Sequence, residues 1–271
     1  MSNPDLIELI EESGHNFHYK VVVFLRNQGW NVDISPYYND NFTDKPREID
    51  IIAEKEYEIR GSWGDKWIGS INVRLFIECK YIANETVFIF DNKNLTRVTE
   101  RILRDTPLKD PGQCSITTKH RYFKEEKVAK LFVSNSKRSS DNEVVYKALT
   151  QSLNAMVAYK KHPSIIPRNK NLKYNLLANL DYPVIVCDSL AKLHAYDFLT
   201  KKIDQLTQKF QLEVNYAYLD SDKNTKTDYF LIDVADFNNL GILIKEIEDA
   251  DVNAVREKLN ADDQAKPRSQ Y

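Results

Sequence analysis

Apolar residues recur at helical spacing over residues 17–25, where Phe17, Val21, Phe24 and Leu25 share one face, and Gly29 stands where a helix C-cap is expected. The spacing predicts a helix ending near Gln28. Val32 and Ile34 then alternate with Asp33 and Ser35, which predicts a short strand, and Pro36 opens a polar stretch to Pro46 that reads as a loop. Residues 48–53 form the next strand. The most regular alternation lies over residues 71–82: Ile71, Val73, Leu75, Ile77, Cys79 and Tyr81 fall on one face, and Asn72, Arg74, Glu78 and Lys80 on the other. Gly61, Ser62, Trp63, Gly64, Asp65 and Gly69 supply turn chemistry between these two strands, so a long antiparallel hairpin is expected.

Further on, Val145, Ala148, Leu149, Leu153, Met156 and Val157 make one apolar stripe, predicting a helix over residues 143–161. Residues 182–187 read as a buried strand. Alternation at Leu212, Val214, Tyr216 and Tyr218 and the run over residues 229–234 predict two more strands, followed by a helix over residues 240–247. Residues 1–260 read as one α/β domain, with no internal repeat or interdomain linker. Residues 261–271 are polar, contain Pro267 and read as a frayed tail.

The chain has 271 residues, of which 42% are hydrophobic and 29% charged, ordinary values for a soluble globular protein long enough to bury a sizeable core. No apolar run is long enough to span a bilayer. The first twelve residues carry Asp5, Glu8, Glu11 and Glu12 and no basic segment, so no secretory or organellar leader is read and a cytoplasmic location is expected. Cys79, Cys114 and Cys187 are widely spaced, without a Cys-x-x-Cys pair, and read as free thiols. A net charge of −2 gives no global attraction to a polyanion, so any nucleic-acid contact must be local. Two basic groups offer it: Lys119, His120, Arg121, Lys124, Lys127 and Lys130, and Lys160, Lys161, Arg168, Lys170 and Lys173. Lysine-rich helix faces are also commonly just solvated.

On a strand, residues two apart share a face, so Glu48 and Asp50 are expected to project together, as are Glu78 and Lys80, and the hairpin brings both pairs onto one sheet. Charge beside a core is costly unless it finds a partner or coordinates a metal. Two carboxylates and a lysine at one end of a sheet are the parts that phosphodiester hydrolysis needs. The carboxylates hold a hard cation, and the ammonium orients the attacking water or stabilises the transition state.

Arg47, Glu48, Ile49 and Asp50, followed by Ile77, Glu78, Cys79, Lys80 and Tyr81, resemble the PD-(D/E)XK nuclease superfamily in its Asp…Glu-x-Lys form. The helix before them, with Gly29 and Trp30 leading into Val32, is similar to that fold's opening. The resemblance implies a restriction-endonuclease-like αβββαβ core with a central mixed sheet flanked by helices, here extended by C-terminal strands and a helix. It implies that Asp50 and Glu78 bind Mg²⁺ or Mn²⁺, that the Cys79 backbone carbonyl joins them, and that Lys80 acts on the nucleophilic water. The implied partner is nucleic acid, DNA before RNA, cut to leave 5′-phosphate and 3′-hydroxyl ends; a homodimer is compatible with this reading.

The sequence departs from the superfamily pattern at three points. Many members carry a Glu on the first helix, where this chain has His18, with Glu11 and Glu12 one to two turns earlier. The separation of Asp50 from Glu78 is long and requires the extended hairpin. Ile49 stands where Pro is common. His18 is read as a helix-surface or supporting residue and not as a ligand; a neutral imidazole there would favour Mn²⁺ over Mg²⁺. His120, His162 and His194 read as structural or surface residues. Gln151 and Tyr159 are similar to a Gln…Tyr pair of exonuclease branches, although a helix with Gln outward and Tyr packed accounts for them. The rival reading is a nuclease-fold module without turnover that binds nucleic acid or a protein.

Overall fold

A computed structural model describes residues 3–61, 66–108, 117–134, 142–160, 162, 175–220 and 223–265. Helices α1 (Asn3–Glu12) and α2 (Gly14–Asn27) lead into strands β1 (Asn31–Ile34), β2 (Tyr37–Asn39), β3 (Pro46–Glu48), β4 (Ile51–Arg60), β5 (Trp67–Lys80) and β6 (Thr86–Asn92). Helix α3 (Leu95–Asp105) and a 3₁₀ turn (Arg121–Phe123) precede β7 (Lys127–Ser134), and helix α4 (Asn142–Tyr159) precedes β8 (Leu176–Cys187). Strands β9 (Leu193–Asp197), β10 (Lys202–Gln205), β11 (Phe210–Leu219) and β12 (Thr225–Asp236) follow. Helix α5 (Phe237–Glu246), a π-helical turn (Ile247–Val252) and helix α6 (Asn253–Ala265) complete the described residues.

Among the described residues ten strands form one mixed sheet in the order β1-β4-β5-β8-β12-β11-β7-β6-β9-β10, and β2 and β3 pair separately. The β4–β5 hairpin is antiparallel, from Ile51 opposite Ile77 to Ile59 opposite Gly69, while β5 and β8 run parallel. The central strands are covered on both faces, which explains their nearly continuous apolar runs. On one face Ile51, Ala53, Ile71, Val73, Leu75 and Ile77 pack with Phe17, Val21, Leu25, Val98, Leu240 and Val255 from α2, α3, α5 and α6. On the other, Ile52, Phe76 and Ile185 pack with Val145, Leu149, Leu153 and Met156 of α4. The architecture is thus mixed α/β, a large mixed sheet between helices. Among the described residues no helix is long and apolar enough to cross a membrane.

Helix α2 ends as its sequence predicts: Gly29 adopts φ +79°, and the Trp30 N–H donates to the Leu25 carbonyl at 3.1 Å. Several expectations are corrected. The strand expected over residues 48–53 is interrupted at Ile49 and Asp50, whose backbones bond Pro36 and Ser35, so Glu48 belongs to the β2–β3 hairpin and Asp50 stands just before β4. That hairpin occupies most of the stretch read as a loop. The tail expected from residue 261 begins as the last turns of α6, which runs to Ala265. The hairpin turn at Ser62, Trp63, Gly64 and Asp65 lies outside the described residues, as does Cys114.

Candidate metal and active centre

The β4–β5 register, continued one step past Ile51 and Ile77, sets Asp50 beside Glu78. The Asp50 N–H donates to Glu78 Oε1 at 3.4 Å, and the Cys79 N–H donates to Asp50 Oδ2 at 2.7 Å. Lys80 lies two residues beyond Glu78 on the same strand face. Its ammonium donates to Glu78 Oε2 at 2.6 Å and to Asp50 Oδ2 at 3.4 Å, so both carboxylates converge on one cation. The three residues expected to meet do meet. Glu48, expected to share the face of Asp50, instead sits opposite Tyr37 in the small hairpin.

The electrostatics follow from two carboxylates facing one ammonium. Glu78 is fully buried, and burial together with the Asp50 charge pushes its carboxyl up to about 7 despite the Lys80 contact. Burial works against the Lys80 ammonium, but the charges of Glu78 and Asp50 outweigh it and raise the lysine above its ordinary value. Burial, reinforced by Asp50 and Glu78, holds the Cys79 thiol well above its ordinary value. The site is short of positive charge. Two oxygen-donor carboxylates with an excess of negative charge fit a hard divalent cation such as Mg²⁺ or Mn²⁺.

His18, read from sequence as outside the ligand set, reaches the centre from α2. Its Nε2–H donates to the Asp50 carbonyl at 2.7 Å. A ring nitrogen of His18, a carboxylate oxygen of Asp50 and the Cys79 sulfur all lie within 4.8 Å of one another. Sequence spacing carries no signal for this meeting, because His18 and Asp50 are separated by 32 positions and joined only by packing. Glu11 and Glu12 lie on α1, but their side chains fall outside the described ones.

The reading of Gln151 as outward and Tyr159 as packed holds for Tyr159, which lies against the core and stacks on Phe76, and is corrected for Gln151. Gln151 turns inward and donates from Nε2 to the Glu48 carbonyl at 3.2 Å, while the Tyr159 hydroxyl donates to the Tyr37 carbonyl at 2.9 Å. Both tie α4 to the β2–β3 hairpin. Among the described residues, these bonds join Gln151 and Tyr159 to the hairpin and not to Asp50, Glu78 or Lys80.

The first basic group does not form a free positive strip. His120 and Arg121 are buried, and Arg121 pairs with Asp233 at 2.5 Å and Asp251 at 2.9 Å. Lys119 pairs with Glu257, Lys124 with Glu246, Lys127 with Asp197 and Lys130 with Glu213. In the second group Lys160 pairs with Asp105 at 3.0 Å, and Lys161, Arg168, Lys170 and Lys173 lie outside the described residues. His194, read as structural or surface, meets Glu85 at 2.5 Å. The chain matches no family model, no curated protein and no solved structure.

Proposed function

We propose that the chain is a metal-dependent nuclease that hydrolyses DNA phosphodiester bonds at Asp50, Glu78 and Lys80. The observation that carries this reading is the convergence of both carboxylates on the Lys80 ammonium, at 2.6 and 3.4 Å, at the end of a hairpin. The succession α2, β1, β4, β5, α4, β8, with β4 and β5 antiparallel and β5 and β8 parallel, supports a restriction-endonuclease-like core. Asp50 and Glu78, with the Cys79 carbonyl, are the groups that would hold Mg²⁺ or Mn²⁺. Such an ion supplies charge neutralisation at the phosphate and acidifies a bound water.

The chain's own residues do the rest. Asp50 is fixed by the Cys79 N–H, so its carboxylate points into the site without relying on a flexible side chain. Lys80, half-buried and held by two carboxylates, offers a fixed positive charge that favours the developing phosphorane dianion over the bound monoanion. With a net charge of −2 and the first basic group paired to carboxylates, DNA would be held by contacts near the site and not by long-range attraction.

Incubation of the protein with linear duplex or single-stranded DNA and Mn²⁺ or Mg²⁺ is expected to give cleavage that EDTA abolishes. Lys80→Ala should lower the rate by about 10² or more while leaving metal affinity largely intact, because it removes a transition-state contact and no ligand. Asp50→Asn should weaken metal binding in calorimetry. Absence of cleavage with both metals, or a Lys80→Ala variant as fast as wild type, overturns the reading.

A further inference from the structure

The Asp50 carboxylate has neighbours of a kind a magnesium site does not call for. Mg²⁺ prefers oxygen and retains water, whereas imidazole and thiolate select zinc-like ions. Within 4.8 Å of one another stand a ring nitrogen of His18, an oxygen of Asp50 and the sulfur of Cys79. Ligands held at about 2.0–2.3 Å from a tetrahedral ion lie about 3.3–3.8 Å apart, so a contraction of at most about 1–1.5 Å closes this trio on a metal.

We propose that His18, Asp50 and Cys79 form a binding site for a thiophilic divalent ion of the zinc class, distinct in ligand chemistry from the hydrolytic Mg²⁺ or Mn²⁺ site. Three features of the structure support it beyond proximity. The ligands come from three separate places, helix α2, the residue before β4 and the end of β5, each fixed by the core on which it sits. Two of them are already oriented by the backbone: His18 Nε2–H by the Asp50 carbonyl at 2.7 Å, and the Asp50 carboxylate by the Cys79 N–H at 2.7 Å. Metal-bound histidines and carboxylates commonly have such supports. All three residues are half-buried, so their side chains stay confined.

Three protein ligands leave the fourth tetrahedral position to water. On binding, the Cys79 S–H bond breaks, sulfur keeps the electron pair that it gives to the metal, and the proton leaves to solvent. Glu78 is not in this trio. Asp50 belongs to both arrangements. If the chain is the nuclease proposed above, a zinc-class ion withdraws Asp50 from the hydrolytic cation and opposes magnesium.

Cobalt(II) titration of the full chain, metal-free and reduced, tests the site directly, because cobalt bound to thiolate gives a near-ultraviolet sulfur-to-metal absorption band. The band is expected in wild type, and Zn²⁺ at one equivalent is expected to displace it. It should be absent in Cys79→Ser and persist in Glu78→Gln. In His18→Ala the affinity should fall by no less than the about tenfold typical of residues that merely orient a ligand. A band of unchanged strength in Cys79→Ser assigns it to another cysteine and overturns the proposal, as does the absence of any band in wild type or an unaltered affinity in His18→Ala. Circular dichroism of each variant checks that the fold is kept. The two readings fail separately: a cobalt band without DNA cleavage leaves this site standing and removes the nuclease, and cleavage without a band does the reverse.

Discussion

Glu78 sets the cost of the site at the scale of a single residue. Its carboxyl sits at about 7 in the folded chain against 4.5 for the ordinary group, raised first by burial and then by Asp50. Between those values the folded protein holds a proton that the unfolded chain has released. The Glu78 contribution to stability is therefore fully present below about pH 4.5, declines as pH rises, and is lost above pH 7. A shift of this size corresponds to at most about 3 kcal/mol. Glu78→Gln keeps the shape, removes the charge and gives up the Lys80 ion pair, so the metal-free variant should exceed wild type by about 1–3 kcal/mol at pH 8. The gain should vanish near pH 4.5. Urea unfolding in EDTA at the two pH values checks this; a gain that is the same at both would mean that Glu78 is not the group that titrates. Glu78 and Lys80 were legible in the sequence as a Glu-x-Lys pair on the polar face of an alternating strand, a face they share with Asn72 and Arg74. The Cys79 sulfur and His18 were not legible, because the first faces the α2 side of β5 and the second comes from a helix 32 residues from Asp50.

At the scale of elements, the β2–β3 hairpin is the piece that delivers Asp50, and α4 holds it. The Tyr38 hydroxyl donates to the Gln151 carbonyl at 3.3 Å and Gln151 Nε2 to the Glu48 carbonyl at 3.2 Å. Buried Asn154 is the central link: its Oδ1 accepts from Asn41 Nδ2 at 2.6 Å, and its Nδ2 donates to Asp40 Oδ2 at 2.7 Å. Asn154→Ala strands those partners and should cost about 1–3 kcal/mol. Because the hairpin pairs only with itself and docks by side chains, the loss should appear as local opening, with faster amide exchange over residues 37–48 and unchanged protection in β5 and β8. Equal loss of protection in β5 would show that the hairpin is not a separate unit. The sequence marked this stretch as loop for a physical reason: strands of three residues are too short for period-two patterning, and Pro46 argues against a strand interior. Long elements were legible where one face is apolar, as in α2, α4 and β5. Strands β6, β7, β9 and β10 were not read, because their burial is irregular or partial and gives no sustained period. Helix α3 was missed for another reason: its buried positions Val98, Arg101 and Ile102 do recur at helical spacing, but one of the three is an arginine, so the apolar stripe is thin.

At the scale of the whole molecule, one buried charge network joins segments far apart in the chain. Arg121, on the 3₁₀ turn before β7, donates to Asp233 on β12 and to Asp251 on the π-helical turn, and the Tyr182 hydroxyl of β8 donates to Asp251 at 2.8 Å. From sequence Arg121 stood in a lysine-rich stretch and read as surface, since its carboxylate partners lie 112 and 130 positions away. His120 is enclosed by the same network, with Nδ1 3.2 Å from Asp251 Oδ1. Burial pulls its imidazole down to about 4, against the opposing pull of Asp251. A histidine lowered in the fold is neutral there while the unfolded chain takes up a proton near pH 6.5. Its contribution is therefore intact above pH 6.5 and lost as pH falls toward 4. Between pH 7 and pH 5 the loss amounts to about 2 kcal/mol. Glu78 shifts stability the other way over this range, so the comparison must be with a variant that changes only the imidazole. His120→Gln retains a polar side chain of similar reach without a titrating ring. The stability of wild type minus that of His120→Gln should fall by about 2 kcal/mol from pH 7 to pH 5 in urea unfolding. A difference that stays level across that range would mean that His120 is solvated or charged in the native state, and that the Arg121 network leaves a path for water between β8 and the π-helical turn.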